Sequence, residues 1–163
     1  MVAIANRKLF YLVSILSLIS IFPQAGFTNN ENWAELKKIE NTIESLGTPV
    51  YWANEHSLCT EGLLGAYIPK EDAIYICQEN HNRDFLELLG TLKHEGWHAV
   101  QKKCQKDLAV LTDAQIRSHL KIRDRKNLHS YHPKNKRADA EARVIEQIPT
   151  IPWIKGVREL CRN

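Results

Sequence analysis

Apolar residues between Glu31 and Leu46 fall at Trp33, Leu36, Ile39, Ile43 and Leu46. Steps of three and four put them on one side of a helix, and Gly47 with Pro49 beyond it supplies the stop. The rhythm then changes. Ala66 to Ile68 and Ala73 to Cys77 are rich in β-formers, and Pro69 to Asp72 between them is turn chemistry, so this stretch predicts a β-hairpin. Helical spacing returns at Phe85, Leu88, Leu89, Leu92, Gly96, Ala99 and Val100 and runs to about Lys103, with Asn82 or Asp84 as N-cap. A run this apolar predicts a largely buried helix.

Beyond it, Thr112 to Gln115 matches a capping box and opens a helix carrying Ile116, Leu120 and Ile122. A polar loop through Ser130 to Pro133 precedes a helix from Arg137 to Ile148, stopped by Pro149, and a last short helix spans Pro152 to Cys161. Helix, hairpin, then helices is an α+β order: mostly helical, with a small β-hairpin or sheet ahead of the long helix.

Composition places these elements in one exported domain. The 163-residue chain is 44% apolar and 25% charged, which is globular usage. Residues 1 to 26 read as a secretory signal: Arg7 and Lys8 precede an uncharged run of 14 residues, Leu9 to Phe22, shorter than a bilayer span. The cleavage region PQAGFT departs from the small-x-small rule, so an uncleaved N-terminal anchor is the alternative. Residues 27 to 163 form a single domain either way, secreted or periplasmic.

Export gives the four cysteines a meaning. An oxidising compartment favours disulfides, of which three connectivities are open; the favoured pairing is Cys59–Cys77 with Cys104–Cys161. The net charge of +3 includes Arg7 and Lys8, so nothing global draws the domain to nucleic acid or membrane. A monomer is expected, touching a membrane only through the N-terminal segment if that is retained. Locally, eight basic residues between Arg117 and Arg137 face one acid, Asp124. A solvated helix and loop accounts for that run, and a cationic rim for an anionic polymer is the sharper reading.

The chemistry sits in the long helix. His94-Glu95-Gly96-Trp97-His98 is HExxH, and residues four apart share a helix face, so both imidazoles can reach one metal ion. Glu95 is badly placed to bind the same ion, but its carboxylate can take a proton from the attacking water and return it to the leaving group. A catalytic Zn2+ site needs a third protein ligand. Gln101 and Cys104 stand where a metzincin extension has Gly and His, so the ligand must come from elsewhere. On the 137–148 helix, Glu141 falls mid-way across the apolar face made by Ala138, Val144, Ile145 and Ile148, while Asp139, Arg143, Glu146 and Gln147 occupy the polar side. A carboxylate in an apolar stripe is costly unless paired or metal-bound, which puts Glu141 first. Asp139 is its competitor, and His119, His129 and His132 are weaker candidates.

HEGWHAVQ after GAYIPKEDAIYIC, with a downstream DAEA helix, resembles the gluzincin-type zinc metallopeptidases, small exported bacterial zincins in particular. The resemblance covers about half the chain, from Gly65 to Glu146. It implies a zincin-like fold, hydrolysis of peptide bonds in peptides or proteins, cell-wall peptides included, and Ala73 to Cys77 as the strand edge that pairs with substrate. It also implies a Tyr or His that stabilises the oxyanion, for which Tyr131 and His132 are the candidates. Asp139 stands where that pattern has Glu. Two other readings fit the same residues: a zincin-shaped binding protein of the cell envelope without catalysis, and a zinc hydrolase of peptidoglycan crosslinks.

Overall fold

A computed structural model describes residues 29–53, 57–60, 62–82, 84–106, 109–127 and 133–162. Among the described residues, six helices and a small sheet make up the α+β class that the hydrophobic pattern implies. Helix α1 (Asn29–Glu44) is followed by strand β1 (Val50–Trp52), the hairpin β2 (Gly65–Ile68) and β3 (Ala73–Ile76), and a 3-10 turn at Gln78–His81. Then come α2 (Phe85–Cys104), α3 (Asp113–His119), α4 (Ile122–Asn127), α5 (Pro133–Ile145) and α6 (Thr150–Leu160). The N-terminal signal expectation lies outside the described residues. No helix among those described is long and apolar enough to cross a membrane.

Helix α2 is the axis of the molecule. The Asp84 side chain accepts from the backbone N–H groups of Leu86 and Glu87, a cap worth about 1 kcal/mol that sets where the helix starts. Leu88, Leu89, Leu92, Trp97, Ala99 and Val100 are all buried, so the apolar residues around it meet neighbours on several sides. Leu36, Ile39 and Ile43 of α1 supply one of those neighbours. Gly96 explains the middle of the HEGWH string: a Cβ there would lie 2.6 Å from Ile43 Cδ1 and 3.3 Å from the Trp153 ring. Only a residue without a side chain lets α1 and α6 approach that closely.

The sheet order is β1-β3-β2, with β3 antiparallel to β2 and parallel to β1. The sequence pattern finds the hairpin but not β1, whose three residues are too few to show a period. That addition overturns one expectation. With both of its sides paired, β3 is the central strand, so Ala73 to Cys77 cannot offer an edge to a substrate. The edge is β2. The Cys77 N–H donates to Leu64 O, which sets the alternation: Leu64, Ala66 and Ile68 point their backbone groups at β3, and Gly65 and Tyr67 point theirs outward. Gly65 also fixes how closely the strand lies on α2, since a Cβ there would meet Thr91 Cγ2 at 2.8 Å.

Disulfides join Cys59 to Cys77 and Cys104 to Cys161, the favoured pairing, and they indicate an oxidising environment. The second ties the end of α2 to the end of α6 across 57 residues, a loop whose closure contributes on the order of 4 kcal/mol in the chain-entropy account. Near the middle of α2 the buried Lys93 ammonium donates to Ile148 O at 2.9 Å and clamps the α5–α6 turn. Burial lowers its pKa to about 8, against the pull of Glu35 and Glu146.

Candidate metal centre

Helix α5 lies against α2 in antiparallel sense: Lys93 meets Ile148, His94 meets Glu146, and Gln101 meets Ala138. This pairing brings Asp139 to the two histidines. His94 Nε2 is 3.1 Å from Asp139 Oδ1 and 3.2 Å from His98 Nε2, and His98 Nε2 is 4.0 Å from the same carboxylate oxygen. Ligand atoms on a tetrahedral zinc site stand about 3.3 Å apart, so these three have metal-site spacing. They form a buried group that could hold a metal ion.

The far sides of the imidazoles settle which atoms carry protons. His94 Nδ1 lies 2.8 Å from Glu146 Oε2, and a carboxylate only accepts, so Nδ1 holds the hydrogen. His98 Nδ1 lies 2.9 Å from Gln101 Oε1. That amide cannot be turned round, because its Nε2 donates to both Ala138 O and Glu141 Oε2. Both Nε2 atoms of the neutral rings are therefore lone pairs, and they point at each other and at a carboxylate oxygen. Three acceptors converging without a donor repel one another unless a cation joins them. Asp139 Oδ2 adds to the case, being buried without a hydrogen-bond partner among the described residues. The donor set, two imidazole nitrogens and one carboxylate oxygen, suits a divalent transition-metal ion. Glu146 and Gln101 complete it by orienting the rings from behind.

Without a metal, a proton takes the cation's place. Burial opposes charging His94, but its hydrogen bonds to Asp139 and Glu146 raise its pKa from the usual 6.5 to about 9. Burial, together with the neighbouring His94 charge, lowers that of His98. Burial would raise Asp139, yet the His94 hydrogen bond and the nearby positive charges hold it below the ordinary carboxylate range. A raised histidine pKa contributes stability that is complete below about 6.5 and disappears as pH climbs through about 9. The chelated protein should therefore melt at a lower temperature at pH 9.5 than at pH 6, and zinc should reverse most of that fall. A melting temperature of the chelated protein that does not change over this range contradicts the assignment.

Glu141 is not brought to the histidines, contrary to its rank as first choice for third ligand. Its carboxylate is fully buried and already held: Oε1 accepts the backbone N–H groups of Val110 and Leu111 at 2.5 and 2.6 Å, and Oε2 accepts from Gln101 Nε2 and Trp97 Nε1. The cost of burying it is met by four N–H donors instead of a metal. Asp139, the competitor, takes the position beside His94 and His98. Of the weaker candidates, His119 is exposed on α3. His129, His132 and Tyr131 lie outside the described residues.

Glu95 stands beside this group but outside it, its Oε2 accepting the Tyr67 N–H at 2.8 Å. The bond links HExxH directly to the open edge of β2. Between β2, α2 and α5 lies a cavity of about 610 Å³ that reaches His94, Glu95, His98 and Asp139. The Tyr67 hydroxyl donates to Asp72 Oδ1 at 3.0 Å. Part of the basic run is used by the fold: Arg125 donates to Arg117 O and Leu120 O, and Arg137 to Asp113 and Leu111 O. The cavity takes its positive charge from elsewhere, from Lys102 and Arg143.

Comparison with known proteins gives no match to a family model, to a curated protein or to a solved structure.

Proposed function

We propose that the chain is a zinc-dependent metallopeptidase of the zincin type, exported and acting outside the cytoplasm. The observation that carries the reading is the convergence of His94 Nε2, His98 Nε2 and Asp139 Oδ1 beside a glutamate that is hydrogen-bonded to an open strand edge. A bound zinc ion would supply Lewis acidity and lower the pKa of a water to about 7. Glu95, free of the ligand set, takes the proton from the attacking water and passes it to the leaving amine. The Tyr67 N–H keeps that carboxylate pointed along the cavity. Gly65, with its backbone groups on the outer side of β2, offers main-chain hydrogen bonds to an extended peptide, the pairing that would lay a substrate across Glu95. Glu146 and Gln101 hold the imidazoles in the tautomers that the metal requires.

Zinc-loaded protein, incubated with a peptide library and in parallel with purified peptidoglycan, should release new amino termini. A chelator should stop the reaction and added zinc restore it. Cleavage confined to the peptidoglycan arm would redirect the substrate to wall crosslinks. Hydrolysis that survives chelation, or none in either arm, refutes the proposal.

A further inference from the structure

The outer edge of β2 has fewer hydrogen bonds to give than its length implies. The alternation that turns Leu64, Ala66 and Ile68 toward β3 puts residues 63, 65, 67 and 69 on the open side, about 7 Å apart. Three of these four are already committed. The Leu63 N–H donates to Thr60 O at 3.1 Å, and its C=O accepts from Asn80 Nδ2 at 2.7 Å. The Tyr67 N–H is held by Glu95 Oε2, and Pro69 has no N–H. Gly65 differs: among the described residues neither its N–H nor its C=O has a partner, and it lines the cavity. A backbone donor and acceptor left open on a strand edge are a template for one residue of another chain. That template stands two residues from the point where Glu95 meets the edge.

We infer that a substrate's main chain is fastened to β2 at a single residue, which exchanges two hydrogen bonds with Gly65 in antiparallel sense. Both bonds then come from one residue, as in the closely spaced pair of an antiparallel ladder. The antiparallel direction puts this residue on the carboxyl side of the cleaved bond, two residues beyond the one that faces Tyr67 and Glu95. On the amino side, toward Pro69, no second pair forms. The site therefore takes short peptides, and peptides that are branched, cross-linked or N-alkylated on the amino side, because one extended residue is all that the edge reads. The inference rests on the metallopeptidase reading for where the cleaved bond lies.

The test uses zinc-loaded Glu95→Gln protein and two series of fluorescent tetrapeptides. The first carries a hydroxamate on its amino end and the second on its carboxyl end, so that the hydroxamate oxygens take the metal and fix the register. Within each series every backbone N–H is methylated in turn. A single position in the first series should weaken binding by about fivefold or more, and none in the second should change it by more than about twofold. The unmethylated peptide of the first series should also slow amide exchange at Gly65 and leave that at Tyr67 unchanged. Sensitivity at two positions two residues apart, sensitivity in the second series, no sensitive position, or unaltered exchange at Gly65 overturns the inference. Failure of both series to bind overturns it together with the metal centre. Wild-type protein on the same sequences without hydroxamate tests the reaction separately. Cleavage with a different methyl pattern keeps the peptidase and discards the anchor, and the expected pattern without cleavage does the reverse.

Discussion

Glu95→Gln should lower peptide hydrolysis by about 10²- to 10⁴-fold and leave zinc binding intact. Glutamine keeps the length and shape of the side chain, and its oxygen can still accept the Tyr67 N–H that holds Glu95 at 2.8 Å. What it loses is the capacity to take a proton. Because Glu95 is not among the three converging ligands, the metal has no reason to leave. The comparison is of kcat on one peptide, with zinc stoichiometry measured on the same samples. A variant within tenfold of wild type removes Glu95 as the base, and a variant that loses its zinc makes Glu95 a ligand.

Glu141→Ala should instead cost folding stability, by about 3–5 kcal/mol. Four N–H groups converge on that carboxylate, two from the 110–111 backbone, one from Trp97 and one from Gln101. Removing the acceptor leaves them buried and unsatisfied, and it frees the Gln101 amide that sets the tautomer of His98. Melting should fall by roughly 10 °C or more, as judged by the size of the domain. Zinc binding by whatever fraction remains folded should weaken but persist, since no ligand has been removed. A variant that melts like wild type yet has lost its metal would return Glu141 to the ligand set.

The contrast between Asp139 and Glu141 shows where the sequence is legible and where it is not. Helical periodicity locates α1, α2, α5 and α6 within a few residues, because each has enough residues to show a period, and β-formers around a turn locate the hairpin. HExxH puts both histidines on one face by arithmetic alone. The third ligand is harder, because it depends on which face of α5 meets which helix. Placing Glu141 in an apolar stripe is sound, and the residue is indeed fully buried. The error lies in ranking a carboxylate on the apolar side above those on the polar side. Helix α5 is buried on two sides, and Asp139 and Arg143, at i and i+4, line the cavity, while Glu146, just past the helix end, meets His94 from behind. Two carboxylates flanking an arginine in this way is a signal that a search for a metal-facing helix surface could use. Gln101 and Glu146, which orient the imidazoles, have no local mark, since each acts only through tertiary contact. Strand β1 escapes because three residues show no period, and the edge position of β2 escapes with it.

The most direct measurement is metal stoichiometry by elemental analysis of purified wild type, Asp139→Ala, His98→Ala and Glu141→Gln, each dialysed against the same buffered zinc. The account predicts about one zinc per wild-type chain, little or none in Asp139→Ala and His98→Ala, and near-wild-type content in Glu141→Gln. A wild-type protein that holds no stoichiometric metal, or an Asp139→Ala variant that holds as much as wild type, would contradict it.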